Sequence, residues 1–151
     1  MIRIQQEDFS VEAEVAELRR QSAGIGAIVT FVGLVRDLND SDEIRTMFLE
    51  HYPGMTEKSL TQIVGEAMQR WELIDVRVIH RVGRLLPQDQ IVLVAVASGH
   101  RKNAFAASEF IMDYLKTKAP FWKKEETARG SRWLETRSSD MEASAEWDRN
   151  R

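Results

Sequence analysis

The sequence predicts an α+β fold with a mainly antiparallel sheet and about three main helices. Two observations carry this. Strand-like runs at residues 75–83 and 90–98 are separated by a turn alone, and strands joined without an intervening helix pair antiparallel. Two other stretches, around 60–71 and 104–115, repeat their apolar residues at helical spacing, the mark of a helix with one buried face. At 151 residues the chain is expected to form one domain, burying roughly two thirds of its unfolded surface.

The first helix follows Ser10 in VEAEVAELRR, where Glu12 and Glu14 suit the positive end of the helix dipole and the closing arginines suit the negative end. GAIVTFVGLVR, residues 26–36, is rich in β-branched side chains and reads as a largely buried strand. The polar DLNDSDE after it reads as a surface loop, and IRTMFLEHY as the next strand. Pro53-Gly54 ends that strand before a second helix, with Thr56 as its expected cap. Leu60, Ile63, Val64, Ala67, Met68 and Trp71 form this helix's apolar stripe.

DVRVIHRVG alternates with period two and QIVLVAVAS is continuously apolar, with RLLPQD turning the chain between them. The third helix is expected from near Arg101 to just before Pro120, because proline disfavours helical geometry in the residue preceding it. Residues 119–125 read as a turn, and the polar tail from about 138 as a frayed helix.

Composition excludes several classes. A net charge of −3 disfavours general nucleic-acid binding. MIRIQQEDFS has no apolar targeting core and no run of 18 apolar residues occurs, so the expectation is a cytoplasmic protein with no membrane span. There is no cysteine, which removes disulfides, thiolate metal sites and a cysteine nucleophile. A role in sulfur transfer would therefore require a partner or small molecule to bring the sulfur. The three histidines, His51, His80 and His100, are too widely separated to show metal-ligand spacing.

Cations nevertheless gather in HRKNAFAASEFIMDYLKTKAPFWKKEE. An acidic chain that concentrates His100, Arg101, Lys116, Lys118, Lys123 and Lys124 there points to an anionic ligand, since like charges repel unless something compensates them. His100 and Arg101 follow a buried strand and Ser98-Gly99, at a strand-to-helix junction whose backbone N–H groups attract anions. Arg101 offers a planar fork for phosphate or carboxylate; a capping histidine and a surface arginine fit the same positions.

Lys116 falls at the edge of the third helix's apolar face, where desolvation and neighbouring cations lower a lysine pKa and suit it to proton transfer or oxyanion stabilisation. Periodicity alone favours a plainer lysine whose stem packs while its ammonium reaches water. Phe121 and Trp122 fit either a wall against a heteroaromatic ring or an anchor in the core. His80, sharing a strand face with Val76, Val78 and Val82, reads as a half-buried structural histidine. Arg36 and Arg137 are further candidate anion contacts.

Together TFVGLVRD, LEHYPGMTEKSL, VIHRVGRLLPQDQIVLVAVAS, GHRKNAFAASEFIMDYLKTKAPFWKKE and GSRW resemble the large, catalytic subunit of molybdopterin synthase, in the right order over roughly residues 26–137. The resemblance implies an α/β hammerhead fold and a homodimer of large subunits within a heterotetramer. A small ubiquitin-like carrier would insert its C-terminal Gly-Gly thiocarboxylate into each large subunit. Two sulfurs would then pass to cyclic pyranopterin monophosphate, with no resident cofactor.

Carried over by position, Lys116 matches an acid/base or oxyanion-stabilising lysine, and Lys123 a second pocket lysine that binds substrate and stabilises developing charge. Arg36, His100 and Arg101 match the residues that hold the pterin phosphate; Val35, Lys124, Glu125 and Arg137 match further substrate-binding positions. Leu34 stands where some relatives have a basic residue, which leaves its backbone as the contact. The competing readings are a non-catalytic anion- or nucleotide-binding module, for which no phosphate-cradling glycine motif is present, and a Schiff-base lysine enzyme, which borohydride trapping on Lys116 would reveal.

Overall fold

The computed structural model describes residues 1–39, 42–127, 130–134 and 137–150. In chain order the elements are β1 (Ile2–Gln5), α1 (Val11–Arg19), β2 (Ala27–Leu34), β3 (Leu38–Asn39), β4 (Asp42–His51), α2 (Met55–Arg70), β5 (Asp75–Arg81), β6 (Gly83–Leu85), β7 (Gln90–Ser98), α3 (Arg101–Lys118), β8 (Phe121–Thr127), β9 (Gly130–Leu134) and α4 (Ser138–Arg149). The α+β expectation holds. One sheet runs β1-β5-β7-β2, and a second runs β3-β4-β8-β9 with β6 also on β4. Pairing is antiparallel except between β1 and β5.

The first sheet is covered on both faces, which explains why β7 is apolar without alternation. One face packs Val76, Val78, Val92, Val94 and Val96 against the stripes of α2 and α3. The other packs Ile79, Leu93, Ala95 and Ala97 with Phe9 and Leu18, the buried residue of α1. Ser10 caps α1, its hydroxyl accepting from the Ala13 N–H at 3.2 Å.

The predicted hairpin forms between β5 and β7, with β6 inserted between them. Gly83 holds φ at +88°, in the left-handed region where only glycine is unstrained. The chain leaves β5 there and crosses to β4, so the two sheets are linked by continuous backbone.

Four sequence expectations need correcting. The stretch expected as a loop after β2 contains β3 and the start of β4, paired antiparallel; Asp40 and Ser41 lie outside the described residues. Gly54, not Thr56, is the N-cap of α2. Thr56 is buried in the first turn, where its hydroxyl accepts from the Tyr52 N–H and donates to the Pro120 carbonyl, each at 2.9 Å. Residues after Pro120 form β8 and β9 rather than a turn alone.

The tail from 138 is the fourth helix, and it is docked rather than frayed. Trp147 meets Trp71 and Phe110 edge to face at 5.6 and 5.5 Å. Its indole N–H donates to Asp113 Oδ2 at 2.7 Å, and Tyr114 hydroxyl donates to Asp148.

Candidate active site

A cavity of about 700 Å³ opens where the end of β2, the last turn of α3, β8 and the start of α4 meet. Each element contributes for a local reason. Helix α3 stops at Ala119 before Pro120, so Lys116 stands on its final turn, half-buried, at the pocket wall. β8 then alternates, turning Phe121, Lys123 and Glu125 inward, while Trp122 also lines the cavity at 47 % exposure. The inward face of β8 carries charge because it faces a pocket instead of a core, which is why no period-two hydrophobic signal announces this strand.

The ring of Phe121 stacks on His80 of β5 at 3.8 Å with 17° between the planes. This contact and the Thr56–Pro120 hydrogen bond fix the α3–β8 turn from two sides.

Lys116 and Lys123 come within hydrogen-bonding reach of each other. Burial, then the charge of Lys116 and its hydrogen bond, lower the Lys123 pKa to about 7; Asp140 opposes the shift and Arg137 adds to it. The lysine with the lowered pKa is thus on β8. Near pH 7 such a lysine exists in both protonation states, which suits a group that must hold and release a proton.

Arg36 and Arg137 line the same cavity, with Phe31 and the exposed Leu34 at its mouth. Glu125 is 1 % exposed, with the Arg132 guanidinium 3.6 Å away.

The remaining candidates lie elsewhere in the chain. Val35 is buried, its N–H donating to Asp89 and its carbonyl accepting from Gln88. Lys124 faces the opposite side of the sheet, over the Trp133 ring at 5.8 Å. His100 and Arg101 line a second pocket with Gly26, Ala27, Gly99 and Lys102 at the start of α3. Fifteen residues separate Arg101 from Lys116, about 22 Å along a helix axis, so one chain does not bring them together.

Two pocket residues escaped the sequence reading. His80 is 3 % exposed and lines the cavity, and burial lowers its pKa to about 3 against the hydrogen bond it makes to the Arg81 backbone. Its alternating strand signalled only burial. Asp140 enters from α4, in a stretch whose polarity gave no hint of docking.

Fold and site define the class: an α+β protein whose lysines and arginines line a pocket between two sheets. The chain belongs to the family described as MoaE protein, whose model matches residues 4–118. It is 63% identical over 146 residues to the molybdopterin synthase catalytic subunit of Ralstonia nicotianae, covering 97% of this chain and 83% of that one. Among solved structures it is similar to the molybdopterin biosynthesis MoaE protein of Burkholderia ambifaria, with a TM-score of 0.85 and 58% identity over 98% of this chain and 97% of that one. It is also similar to molybdopterin synthase from Staphylococcus aureus, with a TM-score of 0.80 and 34% identity over 87% and 95%.

Proposed function

We propose that this chain is the catalytic subunit of a molybdopterin synthase, a sulfurtransferase. It takes sulfur from the C-terminal thiocarboxylate of a small ubiquitin-like carrier and delivers two sulfurs to cyclic pyranopterin monophosphate, forming the dithiolene of molybdopterin. The observation that carries this is the Lys116–Lys123 pair in a pocket with Arg36 and Arg137, on a chain with no cysteine to carry sulfur itself.

In each transfer the thiocarboxylate sulfur displaces an oxygen substituent on the pterin side, so that a carbon–sulfur bond forms as a carbon–oxygen bond breaks and the departing oxygen leaves with the bond's electron pair. Water then cleaves the acyl–sulfur bond and leaves the carrier as a carboxylate. Attack of water on the resulting thioester puts negative charge on an oxyanion, which Lys116 stabilises. Lys123, with a pKa near 7, is suited to shuttle the proton and to hold the anionic substrate. Arg36 and Arg137 supply planar donors for phosphate, Leu34 lines the approach at the end of β2 with the buried Val35 hydrogen-bonded behind it, and Glu125 shares the inward face of β8 with Lys123 while Lys124 lies on the other face.

His100 and Arg101 join this site in a homodimer. The two cavities touch opposite ends of β2, which is an edge strand, at Phe31–Leu34 and at Ala27. An isologous contact along that edge exchanges the ends, setting one protomer's His100 and Arg101 beside its partner's lysines. We read the chain as one domain working in the cytoplasm; among the described residues no helix is long and apolar enough to cross a membrane.

The test mixes the purified protein with thiocarboxylated carrier and cyclic pyranopterin monophosphate and assays molybdopterin as its fluorescent oxidation product. Product that depends on this chain and is lost in Lys116→Ala, with folding and carrier binding intact, supports the assignment. Near-full turnover by Lys116→Ala sinks the role given to that lysine. No product from an active carrier would leave an anion-binding relative that lacks the reaction.

A further inference from the structure

The charged groups lining the pocket around Lys116 and Lys123 are four cationic donors and two carboxylates, Glu125 and Asp140, with no neutral side-chain acceptor among them. Arginine and ammonium groups only donate, and Arg36, Lys116, Lys123 and Arg137 all line it. A thiocarboxylate held among them brings its own donor along, because the amide nitrogen of the terminal residue lies two bonds from the acyl carbon, about 2.5 Å away. Once buried, that N–H needs an acceptor or it costs the full desolvation of the group.

We infer that His80 is that acceptor, receiving through Nε2 the backbone N–H of the carrier's C-terminal residue; the inference rests on reading the pocket as the thiocarboxylate site. Nδ1 of His80 lies 2.8 Å from the Arg81 carbonyl oxygen. A carbonyl only accepts, so Nδ1 carries the proton and Nε2 keeps its lone pair. The face of the ring is covered by Phe121 at 3.8 Å, which leaves an edge for ligand contact on a ring that lines the cavity.

With 3 % of the residue exposed, only a slim donor reaches it, and the backbone of a glycine tail is the slimmest a protein offers. Lys123, Lys116 and His51 all face the ring electrostatically and, with burial, keep it neutral, its pKa being about 3. Neutrality matters here. A carboxylate such as Asp140 could also accept the N–H, but its charge would repel the thiocarboxylate two bonds away.

The test is a double-mutant cycle on binding, using the carrier in its ordinary carboxylate form so that no chemistry intervenes. One axis is His80→Phe, which keeps a ring against Phe121 and removes Nε2. The other replaces the carrier's terminal amide with an ester, which removes the N–H. Calorimetry should show each change alone weakening binding about tenfold, as expected for one buried hydrogen bond, with the ester costing nothing further in His80→Phe.

An ester penalty equal in both backgrounds, or His80→Phe binding as tightly as the parent, overturns the inference. If His80→Phe fails to fold, nitrogen NMR of the parent protein decides. The His80 Nε2 resonance should move with the amide carrier and stay with the ester; identical responses to both overturn the proposal. A parent protein that binds no carrier overturns the pocket reading as well, whereas tight binding without an ester penalty overturns only the role of His80.

Discussion

Lys123 of β8 lies within hydrogen-bonding reach of Lys116 at the end of α3, and this closeness, with burial, brings the Lys123 pKa down from 10.5 to about 7. Between those values the unfolded chain binds the proton that the folded chain has released. Stability therefore rises with pH from about 7 to 10.5 and is lowest, as far as this group is concerned, below 7. Denaturant unfolding at pH 7 and pH 9 should show the parent gaining on the order of a few kcal/mol from this group. Lys123→Met should be more stable than the parent at pH 7 and lack that part of the gain. Equal slopes for the two proteins would show that Lys123 titrates at its ordinary value.

The same pair predicts proton uptake on ligand binding. A thiocarboxylate or phosphate favours the ammonium form of Lys123, so the bound state should raise its pKa. Calorimetry of carboxylate-form carrier near pH 8, in buffers of different ionisation enthalpy, should report proton uptake that vanishes in Lys123→Met. Affinity should fall as pH rises through the region of pH 7.

Much of this was legible in the sequence, and what was not has physical causes. Helices α2 and α3 bury one regular stripe each, and β7 is buried on both faces, so periodicity found them. β8 has no such pattern because Lys123 and Glu125 occupy the inward positions that a core strand gives to apolar residues. Helix α4 shows no apolar stripe in the sequence because it docks through few groups, chiefly Trp147 and the buried Ser144. The residue types of the site were visible from sequence, and the predicted bounds of α3 already set Arg101 and Lys116 at opposite ends of one helix.

Trp147 should couple stability to activity. Its ring packs on Trp71 and Phe110 and its N–H satisfies Asp113, a carboxyl whose pKa burial raises. Trp147→Ala should cost about 2–4 kcal/mol through lost packing and loosen the helix that delivers Arg137 and Asp140 to the pocket. Hydrogen exchange should quicken in α4 before it does in α2 or β7. An unchanged rate of product formation in a variant with exchanging α4 would show that Arg137 and Asp140 are dispensable.

Gly26 tests the second pocket. A Cβ built there would sit 2.3 Å from the Gly99 carbonyl oxygen, a backbone atom that cannot swing aside, so Gly26→Ala must displace the strand-to-helix junction before His100. The expected result is a loss of about 1–3 kcal/mol in stability with weaker phosphate binding, while carrier binding at the lysine pocket persists. Gly65 is the control, because a Cβ there meets nothing within 4 Å.

The sharpest prediction concerns the division of the site between protomers. Lys116 and Arg101 sit at opposite ends of one helix, so if both act on one substrate they must come from different chains. Lys116→Ala and Arg101→Ala would each be nearly inactive as pure dimers. On mixing and re-equilibration, about half the dimers are mixed, and each of those carries one intact site and one doubly damaged site, giving about a quarter of the parent activity. The restored activity should appear at the rate of subunit exchange and saturate at that fraction. Activity that stays at the sum of the two parents, with exchange shown independently by mass-labelled subunits, would place His100 and Arg101 outside the catalytic site.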